Sequence, residues 1–203
     1  MSAFGPSLGV LAASMSVANT FPYVRDIFRR TTRPHRGAWL IWSVLAIVAC
    51  LSQWADGASW SLAMCAVQAV LDVLVFALAI RLGEGGLSTG EVAAMGVAGA
   101  GVLGWMAADT PLVATSCVVV ADVMGAIVMA PKAWRDPDSE TLATFALASV
   151  GGALATGAVG AADPSLLLYP VYFCLVNASL SLLIWHRRMV LTAVPRRPLP
   201  AAR

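Results

Sequence analysis

Apolar residues run along this chain in long blocks separated by brief polar breaks. A helix needs about 20 largely apolar residues to cross a hydrocarbon core of about 30 Å. Seven windows reach or approach that length: about Ser7 to Val24, Gly37 to Gln53, Trp60 to Ile80, Ser88 to Ala108, Pro111 to Ala130, Thr141 to Ala162 and Pro164 to Trp185. The connections are short, as a compact bundle requires. The pattern predicts an all-α, polytopic membrane protein with seven transmembrane helices.

Composition sharpens that reading by exclusion. Apolar residues make up 59% of the 203 and charged residues only 12%, against roughly 45–50% and 25% in soluble domains; mean hydropathy is +0.79. So few charges cannot cover a water-facing surface. A disordered chain and a disulfide-rich secreted domain are excluded with it, and a net charge of only +2 excludes a basic nucleic-acid binder. Cys50, Cys65, Cys117 and Cys174 each stand alone in an apolar run, without C-x-x-C spacing or a histidine nearby. They read as small hydrophobes, and no metal or cofactor is expected. No Lys or Arg precedes Arg25, so the first apolar run reads as a mature helix and not as a cleaved signal.

Charge sets the orientation, because Lys and Arg near helix ends resist translocation. Basic residues follow the first helix (Arg25, Arg29, Arg30, Arg33, Arg36), the third (Arg81), the fifth (Lys132, Arg135) and the seventh (Arg187, Arg188, Arg196, Arg197, Arg203), which accounts for all 13. The opposite loops carry Asp56, Asp109 and Asp163. The expectation is an inner (plasma) membrane protein with its N-terminus outside and its C-terminus cytoplasmic. Trp39, Trp42, Trp134 and Trp185 near inner ends, with Trp54, Trp60 and Trp105 near outer ends, fit interfacial belts. His35 and His186 read as solvated loop or helix-end residues, and the tail from Thr192 as unstructured.

The chain also repeats itself. The first helix ends in Phe21-Pro22-Tyr23-Val24-Arg25-Asp26 and the fifth in Ala130-Pro131-Lys132-Ala133-Trp134-Arg135-Asp136; Asp72 precedes Arg81 on the third helix as Asn177 precedes His186 on the seventh. Helices one and five, and three and seven, are then equivalent. The odd fourth helix returns the chain so that both units run in the same direction, a known transporter plan. The divisions expected are 1–82 for the first three-helix repeat, 83–110 for the linker helix, 111–190 for the second repeat and 191–203 for the cytoplasmic tail.

This 3+1+3 arrangement resembles the PQ-loop superfamily of seven-helix transporters, which includes the SWEET sugar carriers. The resemblance covers nearly the whole chain in architecture and few residues in motif. The family's Pro-Gln pairs are matched by Pro22 and Pro131, with Tyr23 and Lys132 standing where Gln would be. Its facing polar pair on the third and seventh helices corresponds to Asp72 and Asn177, and its acidic coupling candidate on the fifth corresponds, by helix only, to Asp122.

The residues themselves point the same way. Asp72 and Asp122 each lie about twelve positions from a helix end, hence about 18 Å down at 1.5 Å per residue. A charge at such depth costs roughly 2.5–3.5 kcal/mol on insertion scales, so it usually faces a bundle interior or wet cavity. Asn19 and Asn177 lie at similar depth, giving one polar group each on the first, third, fifth and seventh helices. Two readings stand for these four: hydrogen-bonding glue between helices, or convergence on a central cavity. On the second, Asp72, Asn177, Asn19 and Tyr172 contact solute while Asp122 carries the coupling proton. Pro22 and Pro131 either hinge their helices or end them. Gly152, Thr156 and Gly160 on the sixth helix, and Gly96, Ala100 and Gly104 on the fourth, form small-residue stripes for close packing; the fourth-helix stripe could also join copies of the chain into a homo-oligomer. The arginine-rich loop after the first helix reads as a topology determinant, with anionic lipid binding as the alternative.

The expected function is transport of a small polar solute (sugar, amino acid, vitamin or nucleoside) by alternating access, with proton coupling through Asp122. The expected partners are that solute and the lipid bilayer. Rival readings are a non-transporting membrane scaffold or signalling protein, and a membrane enzyme without a recognisable motif. The chain has no H-E-x-x-H, and no catalytic residue is assigned. A retinal-type pump needs a Schiff-base lysine on the seventh helix, whereas the sole lysine, Lys132, ends the fifth.

Overall fold

The computed structural model describes residues 5–55, 60–85, 88–159 and 162–193. Within them lie seven α-helices and no strand: α1 (Gly5–Phe28), α2 (Arg36–Ala55), α3 (Trp60–Leu82), α4 (Thr89–Met106), α5 (Pro111–Arg135), α6 (Leu142–Val159) and α7 (Pro164–Ala193), with a short 3-10 turn at Pro137–Ser139 between α5 and α6. Each predicted window holds one helix. Among the described residues, three stretches are long and apolar enough to cross a membrane: Thr115–Arg135, Leu142–Val159 and Leu167–Ala193. Large apolar side chains also face outward, with Val10, Phe21, Val70, Leu103, Leu175 and Leu182 each more than half exposed. In water that exterior would cost about 25 cal/mol per Å²; against acyl chains it costs nothing. Both features are consistent with a membrane protein.

Local chemistry sets several helix ends. Ser88 and Glu91 form a reciprocal capping box at the start of α4, at 3.3 and 2.9 Å. Pro111 opens α5, where its missing N–H is harmless. At the end of α1, Thr31 N donates to Asp26 O at 3.0 Å and Arg30 N to Ile27 O at 2.9 Å, with Arg30 in the left-handed region at φ 59°. That is a Schellman closure, with arginine where glycine is usual.

Pro22 and Pro131 end neither helix, since α1 runs on to Phe28 and α5 to Arg135. A third internal proline, Pro170, interrupts the hydrogen-bond ladder of α7. Helix α7 also continues past Trp185 through Thr192 to Ala193, further than hydropathy indicated. The extension is held from the side: Arg187 Nε donates to Trp134 O at 2.9 Å with its guanidinium 4.2 Å from that indole, and Arg188 bonds Pro137 O at 3.1 Å. The rest of the predicted tail, 194–203, lies outside the described residues.

Helix α3 packs on α1 and α2, and α7 on α5 and α6; α1 meets α6, α2 meets α5, and α4 lies on α5 and α2. Glycines permit the closest approaches. A Cβ on Gly152 of α6 would sit 2.7 Å from Cys174 N of α7, and one on Gly101 of α4 would sit 2.8 Å from Cys117 O of α5. Gly96, in the expected fourth-helix stripe, faces open space, while Gly160 of the sixth-helix stripe lies outside the described residues.

The main core, built on Tyr23, Ile27, Trp39, Val75, Met129 and Ile184 with Ala94 and Phe145, draws on all seven helices. Trp39 therefore does not belong to an interfacial belt. It is buried against Tyr23 with ring centroids 4.9 Å apart and meets Trp42 edge-on at 5.3 Å, whereas Trp134 and Trp185 are half exposed as a belt requires. Hydropathy cannot separate these cases, because an indole suits a dry core and a membrane interface alike once its N–H has a partner.

Candidate functional site

The candidate polar residues occupy four helices. Asp122, half-buried on α5, accepts a hydrogen bond at Oδ2 from the Tyr172 hydroxyl of α7 at 2.9 Å. Its carbonyl accepts from Trp42 Nε1 of α2 at 3.3 Å. That indole reaches α5 because residue 125 is glycine, where a Cβ would sit 2.4 Å from Trp42 Nε1. Asp122 and Tyr172 are thus brought into direct contact at the junction of α2, α5 and α7. Asn19 on α1, Asp72 on α3 and Asn177 on α7 are each buried to 8% exposure. Asn19 Oδ1 accepts from the neighbouring Thr20 hydroxyl at 3.1 Å, and Asn177 Nδ2 donates to Phe173 O one turn back at 2.9 Å. None of the four mid-helix residues is among the exposed positions facing outward.

A second polar assembly, which hydropathy did not reveal, lies at the arginine-rich end. The connections α1–α2, α3–α4 and α5–α6 meet there, tied by Arg33, which pairs with Glu84 at 3.1 Å and with Asp136. At its centre is Glu140, just ahead of α6 and only 1% exposed. Tyr23 of α1 donates to its Oε2 at 2.8 Å, and Lys132 of α5 to its Oε1. Trp39 Nε1 of α2 donates to the Tyr23 oxygen at 3.0 Å, while Lys132 Nζ also donates to Arg33 O and to Ser139 O. Beside this set, Thr32 and Thr141 share a 2.6 Å hydroxyl contact, and Thr141 donates to Asp26 Oδ2 at 3.1 Å. Arg33 N adds a backbone bond to Ser139 O at 2.9 Å.

Electrostatics follow from this burial. Loss of water raises the Glu140 carboxyl above its ordinary value, with Lys132 opposing. His35 is buried, not solvated as the sequence indicated: its Nε2 lies 2.9 Å from Glu91 Oε1 and its Nδ1 accepts from Ala38 N at 3.3 Å. Desolvation lowers its pKa despite Glu91. Gly85, at φ +83°, lets the imidazole approach, since a Cβ there would lie 2.7 Å from Nε2. A cleft of about 560 Å³ flanks the assembly, lined by His35, Glu84, Glu91, Pro131, Lys132 and Asp136 among others.

One signal for this assembly was present in the sequence. Tyr23 and Lys132 each follow one of the two matched prolines, and both reach the same carboxylate. Glu140 itself lies in a short connection with no periodicity to mark it as buried. Among the described residues, no cluster of three His, Cys, Asp or Glu side chains is placed to hold a metal ion. No protein-family model, curated protein or solved structure matches this chain.

Proposed function

We propose that this chain is a seven-span membrane transporter for a small polar solute, built as two parallel three-helix repeats around a linker helix and working by alternating access. The observation that carries the reading is the pattern of helix partners. Shifting each label in the first unit by four turns α1–α3, α2–α3 and α1–α6 into α5–α7, α6–α7 and α5–α2, which are the contacts the second unit makes. A pairing scheme that maps onto itself is what two equivalent units about an axis along the membrane normal would produce, and it supports the resemblance to the PQ-loop superfamily.

The polar groups support transport over scaffolding. Asn19, Asp72, Asp122 and Asn177 lie on α1, α3, α5 and α7, the first and third helices of each unit. Asp122, with the Tyr172 hydroxyl as its partner, is the proposed proton carrier; Asp72, Asn177, Asn19 and Tyr172 are the proposed solute contacts. Protonating the carboxyl would weaken its claim on the phenol and free that hydroxyl for solute. Pro22 and Pro131, internal to α1 and α5, supply the bending points. Positive-inside reasoning orients the arginine-rich end toward the cytoplasm of an inner-membrane protein.

The test is binding followed by flux. Thermal stabilisation of the purified protein across a panel of sugars, amino acids, vitamins and nucleosides identifies the solute, because a native-state ligand stabilises by RT ln(1 + [L]/Kd). Proteoliposomes then report uptake driven by a pH gradient. Asp122→Asn is expected to abolish the pH-driven component, and unaltered uptake by that variant would reject the coupling role.

A further inference from the structure

We propose that Glu140 is the pin of a gate at the arginine-rich end, a buried carboxylate that fastens the second unit to the first through Tyr23 and holds Lys132, which itself reaches across to the Arg33 carbonyl. The inference rests on the two-unit transport reading and adds to it the place where the units part. Five polar links there run from residues 1–82 to residues 111–190: Tyr23 to Glu140 at 2.8 Å, Thr32 to Thr141 at 2.6 Å, Thr141 to Asp26 at 3.1 Å, Arg33 N to Ser139 O at 2.9 Å, and Lys132 to the Arg33 carbonyl. The seam is also paired in kind. The Asp in the last turn of α1 (Asp26) bonds a residue at the start of α6, and the Asp just after α5 (Asp136) bonds one ahead of α2. The two hydroxyls that meet, Thr32 and Thr141, stand 109 positions apart, as do Tyr23 and Lys132.

The chemistry suits a reversible closure better than a permanent one. Dry apolar contacts resist opening in proportion to their area, whereas buried hydrogen bonds that water can replace differ little in net free energy between closed and open forms. Buried Tyr23, Thr32, Lys132, Glu140 and Thr141 are all groups that water can solvate. One turn along α6 from Glu140, the Thr144 hydroxyl is buried with no hydrogen-bond partner among the described residues, so closure leaves a deficit that hydration would relieve. Pro131 sits one residue before Lys132 and lines the adjoining cleft, so the end of α5 has both a break in its hydrogen-bond ladder and space beside it.

The experiment reads opening directly and needs no solute. Thr144→Cys, in a full-length background with Cys50, Cys65, Cys117 and Cys174 replaced by serine, places a thiol under the seam without removing any seam bond. Its rate of alkylation by a water-soluble maleimide scales with the open population. Tyr23→Phe is expected to raise that rate roughly ten- to a hundredfold, the range that losing a hydrogen bond to a charged group produces, and Glu140→Ala to raise it further. Thr32→Val serves as the mild second variant should Glu140→Ala fail to fold. Rates unchanged from the Thr144→Cys parent in both Tyr23→Phe and Thr32→Val would overturn the gate. The outcome is separable from the transport reading: absent solute flux with an accelerated rate removes transport and leaves the gate, and flux with an unmoved rate does the reverse.

Discussion

Replacing Lys132 by methionine is the sharpest test of how the arginine-rich end is held. The ammonium is 6% exposed and serves three acceptors: the Glu140 carboxylate, Arg33 O and Ser139 O. Methionine fills most of the volume but leaves Glu140, fully buried, with only the Tyr23 hydroxyl as a donor. Removing one member of a buried ion pair typically costs about 3–5 kcal/mol, because the remaining charge is uncompensated. Glu140 can limit that loss by taking a proton, since burial already raises its pKa. At about 2–4 °C per kcal/mol for a chain of this size, the thermal midpoint in detergent should fall by roughly 6–20 °C. Adding Glu140→Gln removes the orphaned charge and keeps an acceptor for Tyr23, so the double variant should recover at least about 2 kcal/mol of that loss. Recovery remains incomplete, because Arg33 O loses its Lys132 donor and Ser139 O keeps only Arg33 N. A double-mutant cycle measures the coupling. Additivity of the two single substitutions to within about 0.5 kcal/mol would refute the ion-pair reasoning.

Four further outcomes follow from local geometry. Arg30→Gly should stabilise the protein by up to about 1 kcal/mol, as a left-handed C′ position relieved of its Cβ; an equal or lower unfolding midpoint would contradict it. Gly85→Ala should destabilise by more than about 1 kcal/mol, since φ +83° disfavours any Cβ and the new atom meets the His35 ring; a neutral effect would show that the loop adapts. Gly125→Ala should drive Trp42 from α5, seen as a change in indole fluorescence with roughly 1–3 kcal/mol of overpacking cost; an unchanged spectrum and midpoint would refute the close approach. His35 faces Glu91, Glu84 and Lys132, and its folded pKa lies below 6.5. Its contribution is then complete above pH 6.5 and lost as pH falls below it, because the unfolded chain binds the proton more readily. His35→Gln should flatten the midpoint between about pH 7.5 and 5.5, and a parallel pH curve would reject the assignment.

The helices were legible because each apolar window is long and unbroken enough to fold as one helix, and among the described residues three of the seven keep the length and apolarity that crossing a membrane demands. The ends were less so. Hydropathy stops at Trp185, but α7 continues because Arg187 and Arg188 are bound by the α5 terminus and the 3-10 turn. The polar mid-helix candidates were legible by depth alone, and of these Asp122 and Tyr172 meet directly. The Glu140 assembly was not, because its members come from four separate segments whose loops carry no period. Trp39 and His35 show the same blindness: residue type and loop position favour a wet setting, while the fold closes over both.

Locking the seam during transport tests alternating access most directly. With Thr32→Cys and Thr141→Cys, whose native hydroxyls stand 2.6 Å apart, oxidation should join the two units at the arginine-rich end, in proteoliposomes loaded with whichever solute stabilises the protein. Flux should stop on oxidation and return with reductant. Equal flux through the oxidised and reduced forms, with the cross-link verified by mass, would contradict the account.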